Sequence, residues 1–165
     1  IPTLQEVVDL AKGRASLQVE IKVRADGSRY PGIEAKVVET LRQSGMVDEA
    51  VVLSFDFPTL AAVKEIEPRL RTCALISRAF MSGIGSRGPA AAAGEIAALG
   101  ATFVGVEKSW LSEPLYREFR SRGLGVGAWT VDDPDQMRKF ALMGVDFITS
   151  NRPDLLRDAL AAPKP

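Results

Sequence analysis

The sequence predicts an α/β fold in which six parallel strands alternate with helices, either doubly wound or closed as a barrel. Short β-rich runs alternate with helical patterns almost to the end of the chain, and most repeats span about 20 to 33 residues. Alternation of this kind favours right-handed crossovers between parallel strands. The 165 residues contain no linker or low-complexity tract, which predicts a single domain over residues 1–165.

Six strands are predicted from short runs rich in apolar residues and bounded by polar residues, Gly or Pro. A parallel sheet that is covered by helices has strands that read apolar throughout, so polar alternation in a strand is informative. The predicted strands cover residues 17–23, 51–55, 71–76, 102–106, 125–131 and 145–149.

Helix signals lie between these strands. Thr3 followed by Glu6 reads as a capping box that opens a helix over Leu4–Ala11. Pro68 ends the helix that precedes the third strand, and Pro153 fits the first turn of a final helix. The helix that Pro68 ends covers about residues 59–67, and the remaining helices are predicted at about residues 33–43, 89–99, 113–121 and 134–143.

Composition and charge exclude several classes of function. Lys plus Arg (21) balance Asp plus Glu (21), so we expect no nucleic-acid partner. No apolar run is long enough for a membrane span and no targeting signal opens the chain, which predicts a cytoplasmic protein. A single cysteine, Cys73, excludes an internal disulfide. The absence of histidine excludes Ser-His-Asp and Cys-His catalysis, His-containing metal sites and an imidazole base within this chain.

Polar residues alternate through the first predicted strand. Gln18, Glu20 and Lys22 lie on one face, and apolar residues lie on the other. One interpretation is a half-exposed strand with its charges in water. The other is a barrel strand whose second face points into the interior, where Glu20 and Lys22 would be desolvated and serve each other, a metal or a ligand. Glu20 would then bind a hard cation such as Mg²⁺ or Ca²⁺, and Lys22 would neutralise a phosphate.

Further polar residues follow the later strands. Ligand sites of α/β folds lie at the carboxyl ends of strands, so this distribution is what such a site needs. Alternatively, Trp129 is a core residue, and Asp56 and Asp132 cap the helices that follow them. The residues at the strand ends are Ser54, Asp56, Glu107, Lys108, Trp129, Thr130 and Asp132.

Two loops have sequence patterns typical of nucleotide-binding or phosphate-binding sites. Gly83-Ile84-Gly85-Ser86-Arg87-Gly88 matches G-x-G-x-x-G, and Glu107 lies 19 residues after its last Gly. Because residues 78–82 separate the preceding strand from these glycines, a loop over the mouth of a site is the alternative to a dinucleotide-binding oxidoreductase. Residues 149–154 join the last strand to the last helix, where backbone N–H groups could hold an anion or where Ser150 or Asn151 could cap the helix.

Several segments, taken in order, resemble one family. They are Ile1-Pro-Thr-Leu-Gln-Glu-Val, Val19-Glu20-Ile21-Lys22, Leu53-Ser54-Phe55-Asp56, Trp129-Thr130-Val131 and Gly144-Val-Asp-Phe-Ile-Thr149 through Arg152-Pro153-Asp154. Together they resemble the C-terminal two thirds of the glycerophosphodiester phosphodiesterase family. The resemblance implies a truncated TIM-like barrel of six parallel strands, and a divalent cation (Mg²⁺ or Ca²⁺) that helps to cleave a phosphodiester. It also implies that Glu20 binds the metal, that Lys22 faces the substrate and that Trp129 lines the substrate pocket.

The chain departs from this family in its first two barrel strands, which carry histidines and an E-x-D metal pair that have no counterpart here. We therefore expect a slow or promiscuous hydrolase that cleaves phosphodiesters or activated phosphoesters. Glu20, Lys22 and Glu107 are the predicted catalytic residues, and Lys22, Trp129 and Asp56 bind the small phosphoester. In this mechanism the metal, or a carboxylate such as Glu107 or Asp56, activates water. The alternative is an inactive truncated barrel that acts as a binding or assembly module.

Two predicted strands, 17–23 and 145–149, would each lack a neighbour that an intact barrel supplies. The two edges could pair with each other in a smaller barrel, or a further N-terminal segment could supply the missing partners. A third possibility is that two chains join edge to edge, and we predict this homodimer because it covers apolar edges and the mouth lined by Glu20 and Lys22 together.

Overall fold

Helices and strands alternate along the chain in a computed structural model that describes residues 1–84 and 87–161. The chain divides into two units, Ile1–Leu75 and Ile76–Pro165. The first unit contains α1 (Leu4–Ala11), β1 (Leu17–Glu20), α2 (Ile33–Gln43), a 3₁₀ turn (Val47–Glu49), β2 (Ala50–Ser54), α3 (Phe57–Ile66) and β3 (Arg71–Ile76), whose last residue begins the second unit. The second unit contains α4 (Arg78–Ile84), α5 (Gly88–Ala98), β4 (Phe103–Glu107), α6 (Glu113–Ser121), β5 (Gly125–Trp129), α7 (Pro134–Met143), β6 (Phe147–Ile148) and α8 (Pro153–Ala161).

All strand pairs described within a unit are parallel, so the predicted alternation of parallel strands with helices is confirmed. In the first unit, β2 lies between β1 and β3, and Glu20 of β1 is in register with Leu53 of β2. In the second unit, β5 lies between β4 and β6, and Glu107 is in register with Trp129. Parallel pairing places the carboxyl ends of neighbouring strands, with their polar residues, at one edge.

Each unit has its own apolar core. In the first, every residue of β2 is buried, and the predicted capping box starts α1, with the Thr3 N–H donating to Glu6 Oε2 at 2.7 Å. In the second, burial is concentrated on β4, β5 and the helices that follow them. The largest fully buried side chains of the second unit include Ile96, Leu115, Phe119, Met137 and Phe140.

Two glycines of β5 provide space for aromatic rings from both neighbouring strands. A Cβ atom on Gly127 would lie 2.0 Å from the Phe147 ring, and one on Gly125 would lie 2.2 Å from the Phe103 ring. The two rings meet edge to face, with their centroids 6.0 Å apart. Close approach of side chains across a strand is therefore the reason for glycine at these positions.

Several predicted boundaries were wrong. β1 ends at Glu20 rather than at residue 23, and β5 ends at Trp129 rather than at residue 131. The segment predicted as a Gly-rich loop begins with helix α4, which contains Gly83, so the first glycine of the nominal dinucleotide fingerprint is not in a tight turn after a strand. Because the fingerprint requires that turn, the structure does not support the dinucleotide-binding oxidoreductase alternative. Gly85 and Ser86 of the same pattern lie outside the described residues.

Among the helices of the described ranges, none combines the length and the apolar character that a membrane crossing requires.

Candidate active site

Glu20 and Lys22 form an ion pair at the carboxyl end of β1. Lys22 Nζ donates to Glu20 Oε1 at 2.7 Å, and the side chains are 72% and 32% exposed for Lys22 and Glu20, respectively. The expectation that both groups are desolvated is therefore wrong for the structure described, since β1 ends at Glu20 and Lys22 lies in the open segment after it. The two groups do neutralise each other, as predicted, and the Lys22 ammonium is accessible to a ligand.

The end of β2 lies beside this pair. The Ser54 hydroxyl is buried and donates to the Ile21 carbonyl at 2.7 Å, which ties the segment after β1 to β2. Asp56 is the N-cap of α3, and its Oδ2 accepts from the Thr59 N–H at 2.9 Å and from the Thr59 hydroxyl at 2.8 Å. The capping interpretation of Asp56 is thus confirmed, and one carboxylate oxygen, Oδ2, is committed to the cap.

These residues surround one small cavity of about 210 Å³. Its polar lining combines two carboxylates, one ammonium and one hydroxyl, and all belong to the first unit. Three of the predicted site residues, Glu20, Lys22 and Asp56, are therefore brought together. The lining residues are Glu20, Ile21, Lys22, Val23, Ser54, Phe55 and Asp56.

Sequence reasoning missed Glu34, a buried carboxylate next to this site. Glu34 Oε1 accepts from Arg29 Nη1 and from the Thr59 hydroxyl, each at 3.4 Å, so it joins the loop after β1 to the first turn of α3. The signal was present in the sequence, because Glu34 occurs at helical spacing with Val37, Val38 and Leu41, which form the buried face of α2. A carboxylate on the apolar face of a helix indicates a polar partner in the interior.

In the second unit, Glu107, Lys108 and Trp129 come together at the ends of β4 and β5. The Lys108 N–H donates to the Trp129 carbonyl at 2.8 Å, and the Ser109 hydroxyl donates to the Glu107 carboxylate. Glu107, Lys108 and Trp129 are all half-buried, so Trp129 is neither a fully buried core residue nor freely exposed. The strand-end prediction therefore holds for their placement, while their roles in catalysis and binding stay predictions.

Asp132 does not cap a helix, since Asp133 is the N-cap of α7. Instead Asp132 joins the end of β5 to the loop after β6, where it accepts from the Ser150 hydroxyl (3.0 Å), the Asn151 N–H (2.7 Å) and the Asn151 side-chain amide (3.0 Å). These bonds from Asn151, with smaller contributions from Ser150 and the charge of Lys108, hold the pKa of Asp132 below its ordinary value. The loop at 149–154 is thus organised around a carboxylate, an acceptor that disfavours an anion beside it.

The donor atoms of the first-unit cavity suit a hard cation. Glu20 and Asp56 offer carboxylate oxygens, the ligands that Mg²⁺ and Ca²⁺ prefer, and the cavity is open to solvent for water ligands. Within residues 1–84 and 87–161, no group of three or more His, Cys, Asp and Glu residues has the arrangement of a metal site.

Comparison with known proteins identifies the family. The Glycerophosphoryl diester phosphodiesterase family matches residues 1–155. A glycerophosphodiester phosphodiesterase of Bacillus subtilis is 29% identical over 161 residues, which cover 94% of this chain and 52% of the relative. Another from Caldanaerobacter subterraneus is 26% identical over 156 residues, covering 94% of this chain and 60% of the relative.

Solved structures give the same result. A crystal structure from Agrobacterium tumefaciens that is named for this family has a TM-score of 0.86 at 25% identity, covering 95% of this chain and 62% of that one. The glycerophosphodiester phosphodiesterase of Thermotoga maritima shares the fold with a TM-score of 0.69 at 17% identity, covering 98% of this chain and 64% of that one. The predicted fold class, a truncated TIM-like barrel with six parallel strands, is confirmed. The chain spans about half to two thirds of the length of these relatives, and it belongs to the glycerophosphoryl diester phosphodiesterase family.

Proposed function

We propose that this chain carries part or all of the site of a phosphodiester hydrolase, and that Glu20 and Lys22 are at its centre. The observation that carries the proposal is the accessible Lys22–Glu20 pair, which lines one cavity with Asp56 in a chain of the phosphodiesterase family. Cleavage of a phosphodiester requires positive charge near the phosphate oxygens and hydrogen-bonding groups that position the attacking water. The cavity offers both kinds of group.

Lys22 supplies the positive charge. An ammonium has three donors, so Lys22 can keep its bond to Glu20 Oε1 and donate to a phosphate oxygen at the same time. As negative charge builds up on the phosphate oxygens, this donor becomes more favourable in the transition state than in the ground state. Glu20 holds the ammonium in place and keeps its second oxygen available.

A divalent cation, Mg²⁺ or Ca²⁺, is part of the proposal. When bound, it would add positive charge at the phosphate and lower the pKa of a coordinated water. Glu20 would hold it, with Asp56 of the same cavity as a second source of oxygen ligands. The carboxylate of Glu107 and the indole of Trp129, at the ends of β4 and β5, are proposed as a base and as part of the substrate-binding surface.

The absence of histidine sets the expected substrate range. No imidazole in these 165 residues can protonate a leaving alkoxide, so esters of acidic alcohols should react faster than glycerophosphodiesters. We therefore propose slow hydrolysis of small phosphodiesters, with a preference for activated aryl esters. The predicted cytoplasmic location and the lack of a nucleic-acid partner remain parts of this proposal.

The test is hydrolysis of bis(p-nitrophenyl) phosphate with Mg²⁺, Mn²⁺ or Ca²⁺ by the wild type, Glu20→Ala and Lys22→Met. We expect metal-dependent turnover that falls at least tenfold in both variants. Glu65→Ala is the matched control, because this exposed glutamate of α3 is outside the cavity. Equal rates in the wild type and Glu20→Ala would refute the proposed site.

A second candidate function, an assembly module, rests on the outer edge of β1, with which no described strand pairs. The Ile21 N–H donates to the Leu53 carbonyl of β2 at 2.9 Å. Because alternate residues of a parallel strand bond to the same neighbouring strand, the backbone N–H and C=O groups of Gln18 and Glu20 point away from β2. Among the described strands, β1 pairs only with β2, and β6 pairs only with β5. Open edges of this kind pair readily with another chain, which supports the predicted homodimer.

Gln18→Pro tests this alternative. Proline at position 18 removes a donor on the outer edge without removing a β1–β2 hydrogen bond, so the dimer should dissociate while the fold persists. Sedimentation equilibrium of the wild type and variant gives the answer, with circular dichroism as the folding control. A wild type that is monomeric at all accessible concentrations would eliminate the homodimer.

A further inference from the structure

A cleft in the second unit carries positive charge that the proposed active site does not use. It has a volume of about 400 Å³ and lies between the loop after β4 and one face of α7. Among the described residues, two lysines line it and no carboxylate does. Its lining residues are Lys108, Ser109, Leu111, Ser112, Gln136, Lys139 and Phe140.

The two lysines form no ion pair with a described residue. Within the residues that the structure describes, no carboxylate oxygen lies within 4.0 Å of the ammonium group of Lys108 or Lys139. Lys139 instead lies over the Phe140 ring, with its Nζ 5.7 Å from the centroid. Two like charges that line one cleft without a neutralising carboxylate favour an anionic ligand.

The carboxylates on the same elements have partners of their own, and Asp133, the N-cap of α7, accepts from the Gln136 N–H. Glu113 pairs with Arg117 at 2.5 Å, and Asp135 pairs with Arg138. Glu107 accepts the Ser109 hydroxyl. The charge of Lys108 acts on the Asp132 carboxylate, but the oxygens of Asp132 accept hydrogen bonds from the loop after β6. The cleft therefore keeps its net positive charge despite acidic neighbours.

Neutral donors complete the cleft. Ser112 is the N-cap residue of the nine-residue helix α6, yet its hydroxyl makes no capping bond. The side-chain amide of Gln136 makes no hydrogen bond to another described residue, and Gln136 and Lys139 lie three residues apart on one face of α7. A hydroxyl at the positive end of a helix, an amide and two ammonium groups are the donors that a phosphate group accepts from.

We propose that this cleft binds a phosphate monoester group, with Lys108 and Lys139 as its charged ligands and Ser112 and Gln136 as its neutral donors. The cleft shares no lining residue with the cavity lined by Glu20 and Lys22, and the proposal does not depend on hydrolysis. The same group occurs in free phosphate esters and in the headgroup of phosphatidic acid. A cleft of this volume has room for a phosphate and a short alcohol.

The test is calorimetric titration with inorganic phosphate in a Lys22→Met background, which removes the ammonium of the candidate active site. Lys108→Met and Lys139→Met keep the aliphatic stem and remove the charge, and each should weaken phosphate binding about tenfold. Lys36→Met, an exposed lysine of α2, is the matched control and should bind like the parent. Circular dichroism verifies that each variant is folded.

Three results would overturn the proposal: no saturable phosphate binding by the parent, unchanged affinity in Lys108→Met and Lys139→Met, or equal weakening in Lys36→Met.

Two further binding experiments identify the source of the phosphate. Displacement by glycerol 3-phosphate supports a small ester as the ligand, whereas binding only to vesicles that contain phosphatidic acid, and not to phosphatidylcholine vesicles, supports the lipid headgroup. Because Glu20→Ala leaves the cleft intact, loss of hydrolysis without loss of phosphate binding separates the two proposals.

Discussion

Gly127 of β5 is the position where one added methyl group should disturb the second unit most. The Cβ atom would lie 2.0 Å from two atoms of the Phe147 ring, far inside van der Waals contact, so the ring must move by more than 1 Å or the strands must separate. Overpacking of this kind costs about 1 to 3 kcal/mol. The loss of glycine's flexibility in the unfolded chain offsets about 0.5 to 1 kcal/mol of that cost.

With the middle value of each range, Gly127→Ala should therefore lower the free energy of unfolding by about 1 kcal/mol. At about 2 to 4 °C per kcal/mol for a chain of this size, the melting temperature should fall by roughly 2 to 4 °C. Urea unfolding followed by tryptophan fluorescence measures the free energy, since the chain has two tryptophans. Gly94→Ala is the control: a Cβ atom at this exposed position of α5 meets nothing within 4 Å, so the variant should be up to about 1 kcal/mol more stable.

A double-mutant cycle tests the mechanism. In a Phe147→Ala background the ring is gone, so Gly127→Ala should become neutral or stabilising. The reasoning is refuted if Gly127→Ala costs the same with and without the Phe147 ring, or if it costs nothing in the wild type.

Three further outcomes follow from local contacts. The bidentate bond from Arg152 lowers the pKa of Asp154 from 3.8 to about 2, so this carboxylate adds stability above pH 3.8 that is lost as the pH falls towards 2. Asp154→Asn should accordingly lower the melting temperature at pH 7 but not at pH 2, and an equal difference at both pH values would contradict the ion pair. Thr3→Ala removes the capping box with Glu6 and should cost about 0.5 to 2 kcal/mol in urea unfolding, while Thr3→Ser should restore most of it. Burial raises the pKa of the Cys73 thiol to about 12, so Ellman's reagent should react at pH 8 only after unfolding, and fast reaction with the folded protein would disprove that burial.

Local signals in the sequence were enough to predict the order and type of most elements. The capping box at Thr3 and the alternation of strands with helices depend on neighbours a few residues apart, and both are confirmed. Helix α4 was missed because glycines near residue 84 suggested a loop, although Arg78–Ile84 is helical. The ends of β1 and β5 differ from the prediction, since pairing with a neighbouring strand, rather than propensity, decides where these strands end.

The sequence by itself determined the inventory for chemistry: no histidine, balanced charge, and polar residues at the ends of several strands, in an order typical of one phosphodiesterase family. Only the tertiary structure decided which of those residues meet. It placed the Lys22–Glu20 pair in an open position, brought Asp56 into the same cavity, and joined Asp132 to Asn151 across 19 residues. These partners are set by parallel register and by loop geometry, which bring distant residues to one edge of the sheet, and no pattern within a short window of sequence encodes either.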